Sequence, residues 1–175
     1  GKDLMEARPA RVASALLSGS VHVEHNWLAG GTLDSVRKAS ASLLSRQELL
    51  KQATIGKHNV NLGARSCQII DLMSDDVWQI LPPALMRVML NLDELRIAVR
   101  ECTCRPLLPS AELQLLRYSA GGHYQRHIDD GFGTADRPVR RSISLVMFLT
   151  PNDWREQDGG HLRIHPLSAP HFDIQ

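Results

Sequence analysis

Any chemistry this chain does starts from a histidine placed two residues before a carboxylate, in His127-Ile128-Asp129. In an extended backbone, residues at i and i+2 project from the same face about 6 to 7 Å apart, so this imidazole and carboxylate can reach one metal ion. Two such ligands joined by a distant histidine make the 2-His-1-carboxylate facial triad, which leaves positions on Fe(II) open for dioxygen and an organic co-substrate. The dyad is not rare. With 8 His and 19 Asp+Glu in 175 residues, composition yields about one His-x-Asp/Glu by chance. The chain holds three, His22-Val23-Glu24, His127-Ile128-Asp129 and His171-Phe172-Asp173. Only the middle one sits at the end of an expected strand beside a glycine-bearing loop. Tyr118, Tyr124 and Arg126 precede it, and Arg140, Arg141, Ser142 and Ser144 follow.

The elements that must position this pair come late in the chain. After Pro106 and Pro109 the hydrophobic period changes from helical to alternating, and residues 113–118, 123–128, 142–149 and 160–165 are expected as strands. They are separated by Ser119-Ala120-Gly121-Gly122, by 129–137 and by 151–159, all rich in turn residues. Upstream, 33–52 reads as a helix capped by Thr32 or Asp34, with Leu33, Val36, Leu43, Leu44 and Leu50 along one stripe. A second helix opens at Pro82 and Pro83 and carries Leu85, Val88, Met89, Leu92, Leu95 and Val99 on one face. Between them, residues 67–72 can form a short strand, and the extreme N-terminus reads as a linker. Helices first and consecutive strands afterwards favour an α+β fold with an antiparallel sheet over βαβ units.

Composition narrows the function classes. A chain of 175 residues with 43% hydrophobic content suits one compact domain. Lys+Arg number 20 against 19 Asp+Glu, a formal charge of +1, so the basic footprint of a nucleic-acid binder is lacking. The longest apolar stretch, around 143–149, is far shorter than the roughly 20 residues a membrane span needs, so no membrane partner is expected. Cys67, Cys102 and Cys104 are an odd number of thiols in a chain too long to depend on disulfides. That points to a reducing compartment, cytoplasm or nucleus. The chain opens on glycine without a leader pattern, as expected of a trimmed piece.

Further residues carry a resemblance. They are Tyr118-Ser119-Ala120-Gly121-Gly122-His123-Tyr124-Gln125-Arg126-His127-Ile128-Asp129, Arg141 with Ser144, and Phe148-Leu149-Thr150-Pro151-Asn152-Asp153-Trp154. Asp158-Gly159-Gly160-His161-Leu162-Arg163-Ile164-His165-Pro166 and Phe172-Asp173-Ile174 complete the set. In order and spacing, 113–174 resembles the catalytic core of prolyl 4-hydroxylase-type Fe(II)/2-oxoglutarate dioxygenases, and among these the hypoxia-inducible-factor prolyl hydroxylase group. The resemblance implies a double-stranded β-helix (jelly roll) with supporting N-terminal helices. A single oxygenase domain would then span 1–175, with helical support over about 22–110 and the first part of the jelly roll over 111–175. It further implies His127 and Asp129 as iron ligands, Tyr118, Val146, Phe148 and Leu162 as the 2-oxoglutarate site, and Tyr124 and Arg141 as substrate-binding residues. Fe(II), 2-oxoglutarate and ascorbate would be the cofactors, and dioxygen with a protein or peptide substrate the partners. The implied reaction hydroxylates a prolyl residue while 2-oxoglutarate becomes succinate and CO₂.

Two departures temper this. Phe148 stands where relatives carry a second co-substrate tyrosine, and a phenyl ring donates no hydrogen bond. The family's distal histidine, its 2-oxoglutarate-clamping arginine and the final jelly-roll strands are expected after Gln175. His161, His165 and His171 match positions that are not ligands in the family, and are expected on strand faces or the surface. Trp154 is expected to pack its loop. A non-catalytic binding domain of the same fold with an incomplete metal centre is the alternative. A zinc module on Cys102 and Cys104 is a weaker one, because their spacing fits no common zinc framework.

Overall fold

The computed structural model describes residues 2–54, 60–109, 112–129, 141–166 and 169–174. The expected loop over 129–137 lies, after Asp129, outside the described residues, as does Arg140. The chain forms two compact units, Gly1–Leu49 with Ile70–Leu115, and Leu50–Ile69 with Leu116–Gln175.

The first unit is helical. Helix α1 (Lys2–Leu17) occupies the stretch expected as a linker and tolerates Pro9 inside it. The sequence hid this helix because a proline interior to a helix removes one backbone donor and usually marks a break. Helix α2 (Gly30–Leu44) starts earlier and stops earlier than the expected 33–52. Ala29 takes the N-cap position with no side-chain bond, so neither Thr32 nor Asp34 caps it. Beyond α2 the chain makes a 3₁₀ turn (Gln47–Leu49) and then strand β1 (Lys51–Gln52), because Lys51 and Gln52 pair with a neighbouring strand instead of continuing the helix.

Strand β2 (Gln68–Asp71) falls where 67–72 was expected, and is followed by a short helix α3 (Asp75–Trp78). Helix α4 (Pro83–Thr103) matches its sequence signals: Pro83 occupies the first turn, where a missing N–H costs nothing, and Leu85, Val88 and Val99 are buried. Both α1 and α2 pack on α4. The core gathers Val36 and Leu43 from α2, Ile70 and Leu72 around β2, and Val77 and Leu81. Full burial of each such side chain contributes roughly 1.5–3 kcal/mol. Strand β3 (Gln114–Arg117) lies within the expected 113–118, and ahead of it the Leu72 amide donates to the Leu113 carbonyl at 2.9 Å.

In the second unit β1 runs antiparallel to β2, with Lys51 opposite Ile69 and Gln52 opposite Gln68, and the sheet order is β1-β2-β3. The Ala53 amide extends the ladder to the Cys67 carbonyl at 3.0 Å. A separate antiparallel ribbon joins β4 (Leu162–Ile164) to β5 (Phe172–Ile174). The expected strand over 160–165 is thus shortened, and β5 is added. Two expected strands do not form. Residues 123–128 make one β-bridge, Arg65 with Tyr124, and 142–149 takes no regular structure. Alternation marks a chain that can be a strand, but a strand needs a ladder partner, and none pairs with 142–149 among the described residues. Helices and antiparallel strands make the fold α+β. No described helix is long and apolar enough to cross a membrane.

Candidate functional site

The site begins at a turn that only glycine suits. Gly121 has φ +75°, and a Cβ on Gly122 would lie 2.8 Å from the Ser119 carbonyl oxygen and 2.9 Å from that of Ser66. The Gly122 amide closes the turn onto Ser119 O at 2.7 Å. The chain emerging from it is clamped to 64–66: the Ser66 amide donates to His123 O at 2.8 Å and the Gln125 amide to Ala64 O at 2.8 Å, flanking the Arg65–Tyr124 bridge. The His123 ring (3.0 Å) and the Gln125 side-chain amide (2.9 Å) both reach the Gly63 carbonyl. Contacts with the Gly63 and Gly121 carbonyls raise the pKa of His123, since an acceptor favours the protonated ring.

His127 and Asp129 converge. The Nε2 atom of His127 stands 3.2 Å from Oδ1 of Asp129. Its Nδ1 lies 2.7 Å from the Gln125 carbonyl oxygen. A carbonyl can only accept, so this contact assigns a proton to Nδ1 and turns Nε2 toward the carboxylate. Nε2 and Oδ1 at this distance need a proton or a cation between them. Donors about 2.1 Å from one ion and at right angles about it sit about 3.0 Å apart, so the observed separation fits a shared metal.

The surroundings hold both groups. The Tyr124 ring stacks on His127 with centroids 3.6 Å apart and planes 20° from parallel. The Arg65 guanidinium lies 4.5 Å from the centroid of the same tyrosine, a cation–π contact. Arg141 Nη1 reaches Asp129 Oδ1 at 3.0 Å, and the Ser144 hydroxyl donates to Oδ2. Partial burial raises the Asp129 pKa, but the Ser144 hydrogen bond and the charges of Arg141 and His127 outweigh it. The carboxyl is held below its ordinary range. Each carboxylate oxygen has two acceptor sites, so the Arg141 contact leaves room for a metal on Oδ1. Among the described residues no three His, Cys, Asp or Glu side chains converge on a metal position, so the described part of the chain brings together two candidate ligands.

The other predicted residues scatter around this pair. Tyr118 is joined to it through Arg65: its hydroxyl interacts with the Cys67 thiol and with Arg65. Burial and the Cys67 thiol push its pKa up to about 12 against the opposing Arg65 charge. Val146 is exposed, while Phe148 and Leu162 are half-buried and stand outside the hydrogen-bonded cluster. Tyr124 and Arg141, expected at the substrate, are in direct contact with the two candidate ligands. The Trp154 indole donates to Gly159 O at 2.9 Å and so closes its own loop. Cys102 and Cys104 are exposed free thiols.

The other two dyads have partners of their own. Glu24 accepts from His22 (2.9 Å), Arg8 (3.3 Å) and Arg11 (3.5 Å). Asp173 takes a two-point contact from Arg163 at 2.7 and 2.8 Å. Sequence reasoning missed Arg65 and Cys67, which approach from about sixty positions upstream and leave no local signal. Near Tyr118, a polar cavity of about 160 Å³ is lined by Gln52, Ser66, Cys67, Gln68, Arg117 and Ser119.

Residues 113–174 match the model of the family described as the 2OG-Fe(II) oxygenase superfamily. All eight residues assigned to metal, co-substrate and substrate from the sequence fall inside that segment. As its name states, that family uses Fe(II) and 2-oxoglutarate, and as an oxygenase family it consumes dioxygen. Nothing among the curated proteins or the solved structures matches the chain.

Proposed function

We propose that this chain carries two iron ligands, His127 and Asp129, of a 2-oxoglutarate-dependent dioxygenase of the prolyl 4-hydroxylase type, acting on a prolyl residue in a protein or peptide. The observation that carries the reading is the 3.2 Å approach of His127 Nε2 to Asp129 Oδ1, inside the segment that matches the oxygenase family. Iron held there would supply activation of dioxygen coupled to conversion of 2-oxoglutarate to succinate and CO₂, with ascorbate keeping the metal reduced.

The chain's own residues have distinct tasks in this proposal. The Gln125 carbonyl fixes the His127 tautomer, and the Tyr124 ring fixes the imidazole plane. Ser144 and Arg141 hold Asp129 ionised, the form that binds a cation. Tyr118 would hydrogen-bond the 2-oxoglutarate carboxylate through its phenolic O–H; a hydroxyl that stays protonated to about pH 12 remains a hydrogen-bond donor throughout the working range. Val146, Phe148 and Leu162 form its apolar wall, with Phe148 contributing contact but no hydrogen bond. Tyr124 and Arg141 also meet the substrate peptide at the mouth of the site. The scaffold would be a jelly roll with helical support, working in cytoplasm or nucleus. The resemblance of 118–129 and 148–166 to prolyl hydroxylases supports the substrate class.

Phe148 and the two-donor set favour one second reading, a binding domain of the same family without turnover. Iron and 2-oxoglutarate titrations of the natural protein, with His127→Ala and Asp129→Ala as controls, test the site: both substitutions are expected to abolish binding, and unchanged binding removes the assignment. Succinate release that requires a proline-containing peptide supports hydroxylation. Turnover with proline-free partners alone rejects the substrate, and iron binding with no succinate from any partner selects the second reading.

A further inference from the structure

The β4–β5 ribbon sorts its side chains by face. Its register pairs Leu162 with Ile174, Arg163 with Asp173 and Ile164 with Phe172. Alternate positions share a face, so Leu162, Ile164, Phe172 and Ile174 lie on one side. His161, Arg163, His165, His171 and Asp173 lie on the other. One step beyond the ladder the register sets His165 opposite His171, and their ring centroids are 5.6 Å apart with planes tilted by 35°. Neighbouring charges are already committed: both Asp173 oxygens accept from Arg163, at 2.7 and 2.8 Å.

We propose that His165 and His171 form a cross-strand clamp for a late first-row divalent cation, Cu²⁺, Ni²⁺ or Zn²⁺, separate from the His127–Asp129 pair. A ring nitrogen about 2.1 Å from an ion puts the ring centre about 3.2 Å from it, so two rings lie about 5.2 Å apart at the tetrahedral angle of Zn²⁺ and about 4.5 Å apart at the right angle Cu²⁺ and Ni²⁺ prefer. The observed 5.6 Å lies close to the first and needs side-chain rotation to reach the second, and both residues are exposed. Partial desolvation, Arg126, His171 and Arg163 lower the proton affinity of His165, with Asp173 opposing. A neutral imidazole is the form that binds metal. The nearby cations Arg126 and Arg163 oppose any added positive charge. That repulsion acts alike on every divalent ion, and the imidazole donors select those that bond strongly to nitrogen over oxygen-seeking Mg²⁺ and Ca²⁺. No third His, Cys, Asp or Glu joins the pair among the described residues, so water completes the coordination and the order of affinity follows Cu²⁺ above Ni²⁺ and Zn²⁺.

The test uses the natural protein carrying His127→Ala and Asp129→Ala, so that the other pair is silent, titrated with NiCl₂ in a calorimeter. One ion per chain is expected. His165→Gln and His171→Gln should each weaken binding at least about tenfold, with His161→Gln unchanged and MgCl₂ giving no heat. Unchanged affinity in both glutamine variants, no nickel binding, or equal binding of magnesium overturns the proposal. A second readout needs no clamp substitution: on adding substoichiometric Cu²⁺, the His165 and His171 ring proton resonances should broaden first, and first broadening elsewhere overturns the assignment as well.

Discussion

The helical unit and the site-bearing unit are held together by different forces. In the first, Val36, Leu43, Ile70, Leu72, Val77, Leu81, Leu85, Val88 and Val99 are buried, with Ile70 at 0% exposure. In the second, the buried apolar residues among those described are Ala53 and Cys67, and Ile128, between the two candidate ligands, is 78% exposed. One unit stands on water-excluded aliphatic packing. The other stands on directional contacts, namely the Gly63 carbonyl clamps, the Arg65–Tyr124–His127 stack and the Arg163–Asp173 pair. Packing tolerates no loss of volume, whereas directional contacts set the angle at which a donor atom is presented.

That contrast can be broken by experiment. The largest effect is expected from Ile70→Ala, which should cost about 2–5 kcal/mol in chemical denaturation through lost burial and a cavity. If Ile164→Ala, half-buried on β4, cost as much, the distinction between the units would fall. Next comes Gly122→Ala, whose new methyl group meets two backbone carbonyl oxygens. A loss of about 1–3 kcal/mol is expected, with weaker iron binding but an unchanged helical circular-dichroism signal. Tyr124→Leu should weaken iron binding by up to about tenfold, the worth of an aromatic stack of roughly 0.5–1.5 kcal/mol. Tyr124→Phe should restore it, and equal losses in both variants would show that the hydroxyl, not the ring face, matters.

The smallest effect belongs to the helical unit's own polar contact. The His22 hydrogen bond and the charges of Arg8 and Arg11 outweigh burial and lower the Glu24 pKa. A depressed folded-state value means that Glu24 contributes stability above its unfolded pKa and loses it as pH falls through the folded one. Glu24→Gln should therefore flatten the acid limb of a melting-temperature profile below about pH 4.3 and lower stability modestly at neutral pH. An unaltered acid limb would leave Glu24 without a role in acid sensitivity.

What could be read in the sequence was local. Pro83 and the stripe from Leu85 to Val99 define α4 because both signals act within a few turns. His127 and Asp129 could be paired because two residues of chain bring them together whether or not 123–128 becomes a strand. The strand over 142–149 failed as an expectation because alternation states only that a segment can pair, while pairing depends on a distant partner. Helix α1 was missed because Pro9 breaks the usual pattern. Arg65, Cys67 and the tautomer-fixing Gln125 carbonyl were invisible: the first two arrive from far upstream, and the third is backbone.

The hydrogen bond from Leu72 to Leu113 has a kinetic consequence. The site-bearing unit is assembled from two stretches separated in sequence by Ile70–Leu115, and contacts such as His123 with Gly63 span 60 positions. Closing so long a loop in a floppy chain is entropically slow. Once α4 and its neighbours have folded, Leu72 and Leu113, near the two ends of that insertion, are already hydrogen-bonded, which shortens the loop left to close. Refolding should therefore recover the far-ultraviolet helix signal first and metal affinity afterwards.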